Sequence, residues 1–301
     1  MTRSSHCTLA AIVCTHSPPS ERLVRVLRAL SRSREFDEIV IVRNGGAKLD
    51  TGAFQDIPQL KWIEEEKLGL VYARAAGIRA SNSQLVAFVD DDNVVDEAYS
   101  HEAKRFWIEN RQLGVFGGRI TGSFERRPAI WKRPALPFLG LRDLGSEAII
   151  VASSDKPNFD VPGAGFVVRR DVADHFADAI ANGHLGGLGR RGADLASGDD
   201  TAICRLARQM GASLGYTPSL HLTHIIPGAR TEFRYLVALI ERIGRSAAKL
   251  DEIFESRRTV PSVSGLVFRH LYHLIRHGPI GWATAGWHRG YRSQSAKRDH
   301  K

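Results

Sequence analysis

Residues 85–95, LVAFVDDDNVV, run five apolar side chains straight into three adjacent carboxylates, Asp90, Asp91 and Asp92. An apolar run this short, bounded by polar residues, predicts a strand buried on both faces. Upstream, TLAAIVC (8–14) predicts another, and SERLVRVLRALSR (20–32) sets Leu23, Val26, Leu27 and Leu30 at helical spacing. DEIVIVRNGG (37–46) predicts a strand closed by a turn at Asn44, Gly45 and Gly46; LKWIEEE (60–66) predicts a short strand, and GLVYARAAGIRAS (69–81) a helix ending near Ser81. This alternation predicts an α/β fold, a mostly parallel central sheet flanked by helices. Ligands of such sheets sit beyond the carboxyl ends of the strands, where the aspartates lie. Close carboxylates raise each other's pKa unless a cation or hydrogen-bond donors stand between them. A metal ion holding a phosphate answers that need, and a hydrated loop is the bland alternative.

The rest of the chain narrows the choice. Its 301 residues, 43% hydrophobic and 25% charged, suffice for a large core, with no repeat or low-complexity tract. Cys7, Cys14 and Cys204 form no Cys-x-x-Cys pair, which suits reduced thiols in a cytoplasmic setting. CTLAAIVC (7–14) leads into THSPPSER without a small-residue cleavage pattern, so no secretory signal is expected. No apolar window approaches the ~18 residues of a membrane-spanning helix. The net charge of +9 is uneven: residues 242–301 carry 12 Lys/Arg against 4 Asp/Glu, or +8. Such a tail suits an anionic membrane surface, nucleic acid, or plain solubility. No recognition motif accompanies the charge, and no nucleic acid is expected.

After a helix near 96–109, GVFGGRI (114–120) and GAGFVVRR (163–170) predict strands. Between them lies SFERRPAIWKRPALPFLGLRDLG (123–145), rich in Arg, Pro and aromatics, a substrate-facing loop region. DDTAICRLARQMG (199–211) predicts a helix with Ile203, Leu206, Ala207 and Met210 on one face and Gly211 just past its end. SLGYTPSLHLTHIIPGAR (213–230) predicts a short strand and an irregular segment. From Thr231 the chain turns helical, broken at Pro261 and at Gly278-Pro279. Residues 1–230 thus form one expected domain and 231–301 a basic helical extension.

Hard cations such as Mg2+ take one or two carboxylates, with waters and substrate phosphates completing the shell. Asp199 and Asp200 open a helix, where the dipole favours acids; that accounts for one of them. The second has the reach of a general base for a hydroxyl. GLGRRG (187–192) fits G-x-G-x-x-G by letters, but no strand precedes it, so it predicts a loop. His221 and His224 flank two residues, a spacing more often structural than that of a ligand set.

Seven segments, IVCTHSPP, EIVIVRNGG, GLVYARAAGI, VAFVDDDN, PGAGFVVRR, SGDDTAICRLARQMG and HIIPGAR, occur here in the order seen in family 2 glycosyltransferases. The chain resembles that family, and its bacterial polysaccharide-biosynthesis branch in particular, from about Thr8 to Arg245. The resemblance implies a GT-A fold, a nucleotide-diphosphate sugar donor and inversion at the anomeric carbon. It further implies Mn2+ or Mg2+, and a saccharide or lipid-linked saccharide acceptor in polysaccharide or glycolipid synthesis. Carried over by position, Thr15 lines the nucleotide pocket and Arg74 meets the diphosphate or base. Asp90 or Asp91 holds the ribose, Asp92 ligates the metal, and His224 lies near diphosphate and metal. Gly163, Ala164 and Gly165 let backbone approach the donor sugar, and Asp200 is the base. Three positions depart from the family pattern. Arg43 stands where an aspartate usually contacts the base, Ala75 replaces a frequent asparagine, and Asp199 replaces the glutamate before Asp200. These leave the nucleotide base open, and Arg43 and Asp199 favour the alternative of a sugar-nucleotide-binding protein without turnover. A sugar-1-phosphate nucleotidyltransferase would need a Gly-rich loop after the first strand, which CTHSPPSER (14–22) lacks. The expected location is cytoplasmic, with the basic tail on the inner face of the membrane.

Overall fold

The structure, a computed structural model, describes residues 7–16, 20–45, 57, 60–155, 159–185, 188, 197–256 and 262–296. The GLGRRG stretch (Leu188 apart) and Pro261 fall outside these. In chain order the elements are β1 (Leu9–Thr15), α1 (Glu21–Arg32), β2 (Glu38–Arg43), β3 (Leu60–Glu64), α2 (Leu70–Arg79) and β4 (Leu85–Phe88). Next come β5 (Asn93–Val95), α3 (Tyr99–Glu109), β6 (Leu113–Phe124), a 3-10 segment (Ile130–Leu139), β7 (Ile149–Val151), β8 (Phe166–Arg169) and α4 (Arg170–Ala181). The chain ends through α5 (Asp199–Gln209), β9 (Ser213–Ile226), α6 (Phe233–Ile253), α7 (Val263–His277) and α8 (Pro279–Ala296).

The strands form one sheet in the order β3-β2-β1-β4-β8-β6-β9-β5, with β7 also on β9. Alternate residues of each central strand feed opposite faces, as the two-residue period of a strand requires. Leu9, Ala11, Val13, Leu85 and Ala87 join the core under α1 and α3. Ile12, Val40, Val42, Val86 and Phe88 join the core under α2, α4 and α5. The continuous apolar runs of β1, β2 and β4 are therefore the signature of burial on both sides.

The expected mostly parallel sheet holds for the half from β3 to β4. Beyond it the sheet is mixed: β8 runs antiparallel to β4 and β6, β5 and β7 antiparallel to β9, and only β6 and β9 pair in parallel. Segment 213–230 also differs from expectation. It holds a 14-residue strand, because the register jumps from Gly118↔Thr217 to Arg119↔His221 and loops out the three residues from Pro218 to Leu220. A proline cannot donate to the ladder and is tolerated at such a bulge. Gly118 makes room, since a Cβ there would lie 1.7 Å from the Leu220 carbonyl oxygen. On α5, Ile203, Leu206 and Ala207 are buried as expected, but Met210 sits at the C-cap and is 39% exposed.

A third core joins Ala135 and Leu139 of the 3-10 segment to Leu236, Leu239 and Ile240 of α6 and Ile280 and Ala283 of α8. Asp251 of α6 ties it to the sheet domain. Its buried carboxylate accepts from Arg205 of α5 at 2.5 Å and from the Tyr291 hydroxyl of α8 at 2.7 Å.

Candidate active site

A cavity of about 660 Å3 opens at the carboxyl ends of β1, β2 and β4, where a parallel sheet offers backbone and turn residues to a ligand. Thr15, Asn44, Asp90, Asp91 and Asp92 line it from these ends, and α2 adds Arg74. Ala164 and Gly163 precede β8, and Asp199 and Asp200 open α5. Tyr235, Leu239 and Ser246 of α6 and Trp287 of α8 close it from the C-terminal side.

The aspartates after β4 have separate partners. Asp91 accepts from the Thr15 hydroxyl at 2.7 Å. Burial pushes its carboxyl above the usual range, with Asp92 and Asp90 adding repulsion and the Thr15 hydrogen bond opposing it. Asp90 lies 3.6 Å from Arg74. Asp92 is buried against two groups: Arg230 donates to it at 2.9 Å, and His224 Nε2 lies 3.5 Å away. The three-residue strand β5 brings this about, because its pairing of Asn93 with His224 carries Asp92 to β9. Burial works against the Arg230 charge, yet Asp92 and its neighbours hold its pKa above the ordinary value.

Arg74, next to Asp90, is only 3% exposed. Its guanidinium binds Asp199 at 2.5 Å and lies about 5 Å from the ring centroids of Phe88 and Phe166, at 5.1 and 5.2 Å. A planar cation between an anion and two aromatic faces keeps its charge despite desolvation. Asp200, next in sequence, is fixed by backbone donors: Gly163 N–H at 2.9 Å and Thr201 N–H at 2.8 Å. A Cβ on Gly163 would stand 3.1 Å from that of Asp200, so the glycine makes space for the carboxylate. Burial, then Asp199, raise the Asp200 pKa to about 6, with Arg74 pulling the other way.

Most of the expected positions meet in this cavity: Thr15, Arg74, Asp90, Asp91, Asp92, Gly163, Ala164, Asp199, Asp200 and His224 all line it. Arg43 does not; its register partner in β3 is Glu64, and the two form an ion pair. Gly165 does not line it either. Its φ of +66° and a would-be Cβ 2.1 Å from Leu222 explain the glycine by backbone and core packing. His221 bridges Asp96 at 2.7 Å and Thr121 at 2.9 Å, a structural placement. Sequence reading passed over Asn44, whose amide binds the carbonyls of Glu65 and Lys67 and the N–H of Gly69 and so shapes the mouth. It gave no role to Arg230, although that residue closes the HIIPGAR segment, and no place in the cavity to Trp287. Cys14 lines the wall, but burial lifts its thiol to about 12 and keeps it protonated.

The cavity brings together two acidic groups, each with an arginine, Asp92 with Arg230 and Asp199 with Arg74, and can grip a polyanion through a cation at the first and remove a proton beside the second. Residues 10–176, more than half of the chain, match the family described as "Glycosyl transferase family 2". A "Glucosyl-dolichyl phosphate glucuronosyltransferase" of Haloferax volcanii is 23% identical, covering 76% of this chain and 72% of its own. The crystal structure of S. aureus TarS 1-349 has a TM-score of 0.52 at 14% identity, over 98% of this chain and 92% of that one, and so has its complex with UDP. GalNAc-T7, solved with UDP, GalNAc and Mn2+, has a TM-score of 0.50 at 15% identity, over 92% of this chain and 59% of that one. At such identities the structural likeness speaks for the GT-A fold alone.

Proposed function

The chain belongs to glycosyl transferase family 2 and is a glycosyltransferase, and from that premise we propose that it moves a sugar from a nucleotide-diphosphate donor to an acceptor hydroxyl with inversion. The observation that carries this reading is Asp200, a half-buried carboxylate fixed by two backbone N–H groups with its pKa raised to about 6. Such a group is ionised at neutral pH yet basic enough to take a proton in the transition state. The acceptor oxygen attacks the anomeric carbon as its proton passes to Asp200. The bond from that carbon to the diphosphate breaks, and the electron pair leaves with the nucleoside diphosphate. A single displacement of this kind inverts the centre.

Thr15, Asn44, Asp90 and Asp91 are assigned to the nucleoside, and Arg74 with Arg230 to the diphosphate. A divalent metal fits between Asp92 and His224. Asp92 Oδ2 and His224 Nε2 lie 3.5 Å apart, and His224 Nδ1 is buried without a hydrogen-bond partner. Among the described residues no cluster of three or more His, Cys, Asp or Glu is arranged to hold a metal alone. Two protein ligands plus diphosphate oxygens and water match the habit of Mg2+-like ions. When bound, the ion offsets charge on the leaving diphosphate.

Residues 1–230 are assigned as the catalytic domain and 231–301 as the extension that roofs it. The acceptor is a saccharide, more specifically a lipid-linked one in polysaccharide or glycolipid synthesis. The Haloferax volcanii relative, whose name specifies a dolichyl phosphate, supports the lipid. The basic extension then meets an anionic membrane on its cytoplasmic side. A thermal-shift panel of nucleoside diphosphates with Mn2+, with and without EDTA, tests the donor half. Absence of any metal-dependent shift across the panel would overturn it.

A further inference from the structure

Six exposed apolar side chains lie together on α7. Val267, Phe268, Leu271, Tyr272, Leu274 and Ile275 are 41–77% exposed. At 100° per residue they cover a continuous arc of about 160° on one side of the helix. The other side packs on α8: Leu266 is buried, and His270 meets Arg289 at 2.7 Å and the Trp282 ring edge-on. Isolated exposed leucines mean little, but a contiguous stripe of six marks an interaction surface.

Charge identifies the occupant. Between Arg257 and Arg298 the chain holds eight Lys/Arg and no Asp or Glu. A second copy docking through the same stripe would set this basic segment against itself, since a two-fold interface pairs identical patches. An anionic lipid surface complements it. The flanking groups suit a bilayer interface as well: Arg276 donates to the Tyr272 hydroxyl at 2.9 Å, and Arg289 lies 4.2 Å over the exposed ring of Trp282. No helix among the described residues is long and apolar enough to cross a membrane. With its apolar residues on one side and basic residues around it, α7 has the make-up of an element lying in the interface plane.

We propose that α7 is a membrane-inserting helix that seats its apolar stripe among the acyl chains of an anionic leaflet and so sets the roof of the cavity beside the bilayer. α8 carries both the docking contact for α7 and Trp287 in the cavity wall, so insertion fixes the distance between lipid and site. The inference rests on the proposed function only for its purpose. It replaces diffuse attraction of a basic tail by insertion of one named face.

Flotation of the full-length protein tests it, with vesicles of phosphatidylcholine alone or mixed with phosphatidylglycerol, and with neither donor nor acceptor present. The wild type is expected to float with the anionic vesicles and to keep a measurable part of that binding at high salt, where electrostatic attraction is screened. Phe268→Asp with Ile275→Asp is expected to lower the partition by roughly tenfold or more, the loss of one or two buried apolar side chains. Both positions are exposed, so the variant is expected to keep the nucleoside-diphosphate thermal shift of the wild type. Flotation of the variant equal to the wild type overturns insertion and leaves only charge. No flotation of the wild type overturns the membrane partner altogether, and leaves the transferase reading standing. A wild-type dimer in size-exclusion chromatography that the variant dissolves overturns it in favour of a second copy.

Discussion

Asp200 is held between opposing influences. Burial and the Asp199 charge favour its protonated form, and the Arg74 cation and two N–H donors favour the anion. With the folded pKa raised from 3.8 to about 6, the protonated carboxyl stabilises the fold below about pH 4. That contribution is lost as pH rises through about 6, the reverse of a salt-bridged aspartate. Turnover follows the opposite course, because only the anion accepts a proton. Transfer rate is therefore expected to climb with pH to a plateau above about 6, and Asp200→Asn to abolish that limb and reduce turnover by ~10^2–10^4 while donor affinity stays close to wild type. Loss of donor affinity instead would move Asp200 into the nucleotide site. Beside Asp92, Arg230 supplies a cation where the metal is proposed. Removing it leaves Asp92 short of a counter-ion in a partly dry site. Arg230→Ala is expected to lower the Tm of the metal-free protein and to enlarge the stabilisation by Mn2+. Equal Mn2+ shifts in wild type and variant would show that arginine and metal do not share Asp92.

Where an element's burial is set by its own composition, its sequence is legible. β1, β2 and β4 are apolar throughout because both faces are covered, and α1 shows one stripe because one face is. Elements defined by a distant partner are not. The strand β5 has three residues and exists through its pairing with β9; Arg230 reaches Asp92 across 138 positions of sequence. Arg43, the last residue of β2, is paired with Glu64 by the ladder, and Asn44, the first residue past the strand, is the one that lines the cavity. The proline of β9 signals a break locally, and only the neighbouring Gly118 reveals room for a bulge. Packing of α6 on α8 is hidden in the same way. A Cβ on Gly244 would stand 2.0 Å from the Trp287 carbonyl oxygen, and one on Gly290 would stand 1.8 Å from that of Glu241. The two glycines let the helix backbones touch. Gly290→Ala is expected to force them apart and destabilise by about 1–3 kcal/mol, as overpacking does, with an m-value near wild type in urea. A variant as stable as the wild type would mean that α8 docks elsewhere.

Across the whole molecule, the cavity draws its two halves from separate parts of the chain. Thr15, Asn44, Arg74 and the aspartates after β4 stand on the sheet, whose two cores take Leu250 from α6 but no residue from α7 or α8. Tyr235, Leu239 and Trp287 come from α6 and α8, and their packing depends on the third core. Donor binding and transfer should therefore respond differently to damage in the extension. Ending the chain after Ser256 removes α7 and α8, including Ile280 and Ala283 of that core and the Tyr291 hydroxyl from Asp251. The truncated protein is expected to melt at lower temperature yet keep a nucleoside-diphosphate shift within a few-fold in affinity. Transfer to an acceptor is expected to fall by ~10^2 or more, because a loosely held acceptor forfeits the advantage of orientation. Trp287→Ala provides the same comparison in the full-length chain, without the loss of α7. Its expected signature is a raised acceptor KM with donor KM unchanged. Transfer at the wild-type rate in both proteins would place the acceptor outside this roof, and the extension would then serve only to bring the enzyme to its surface.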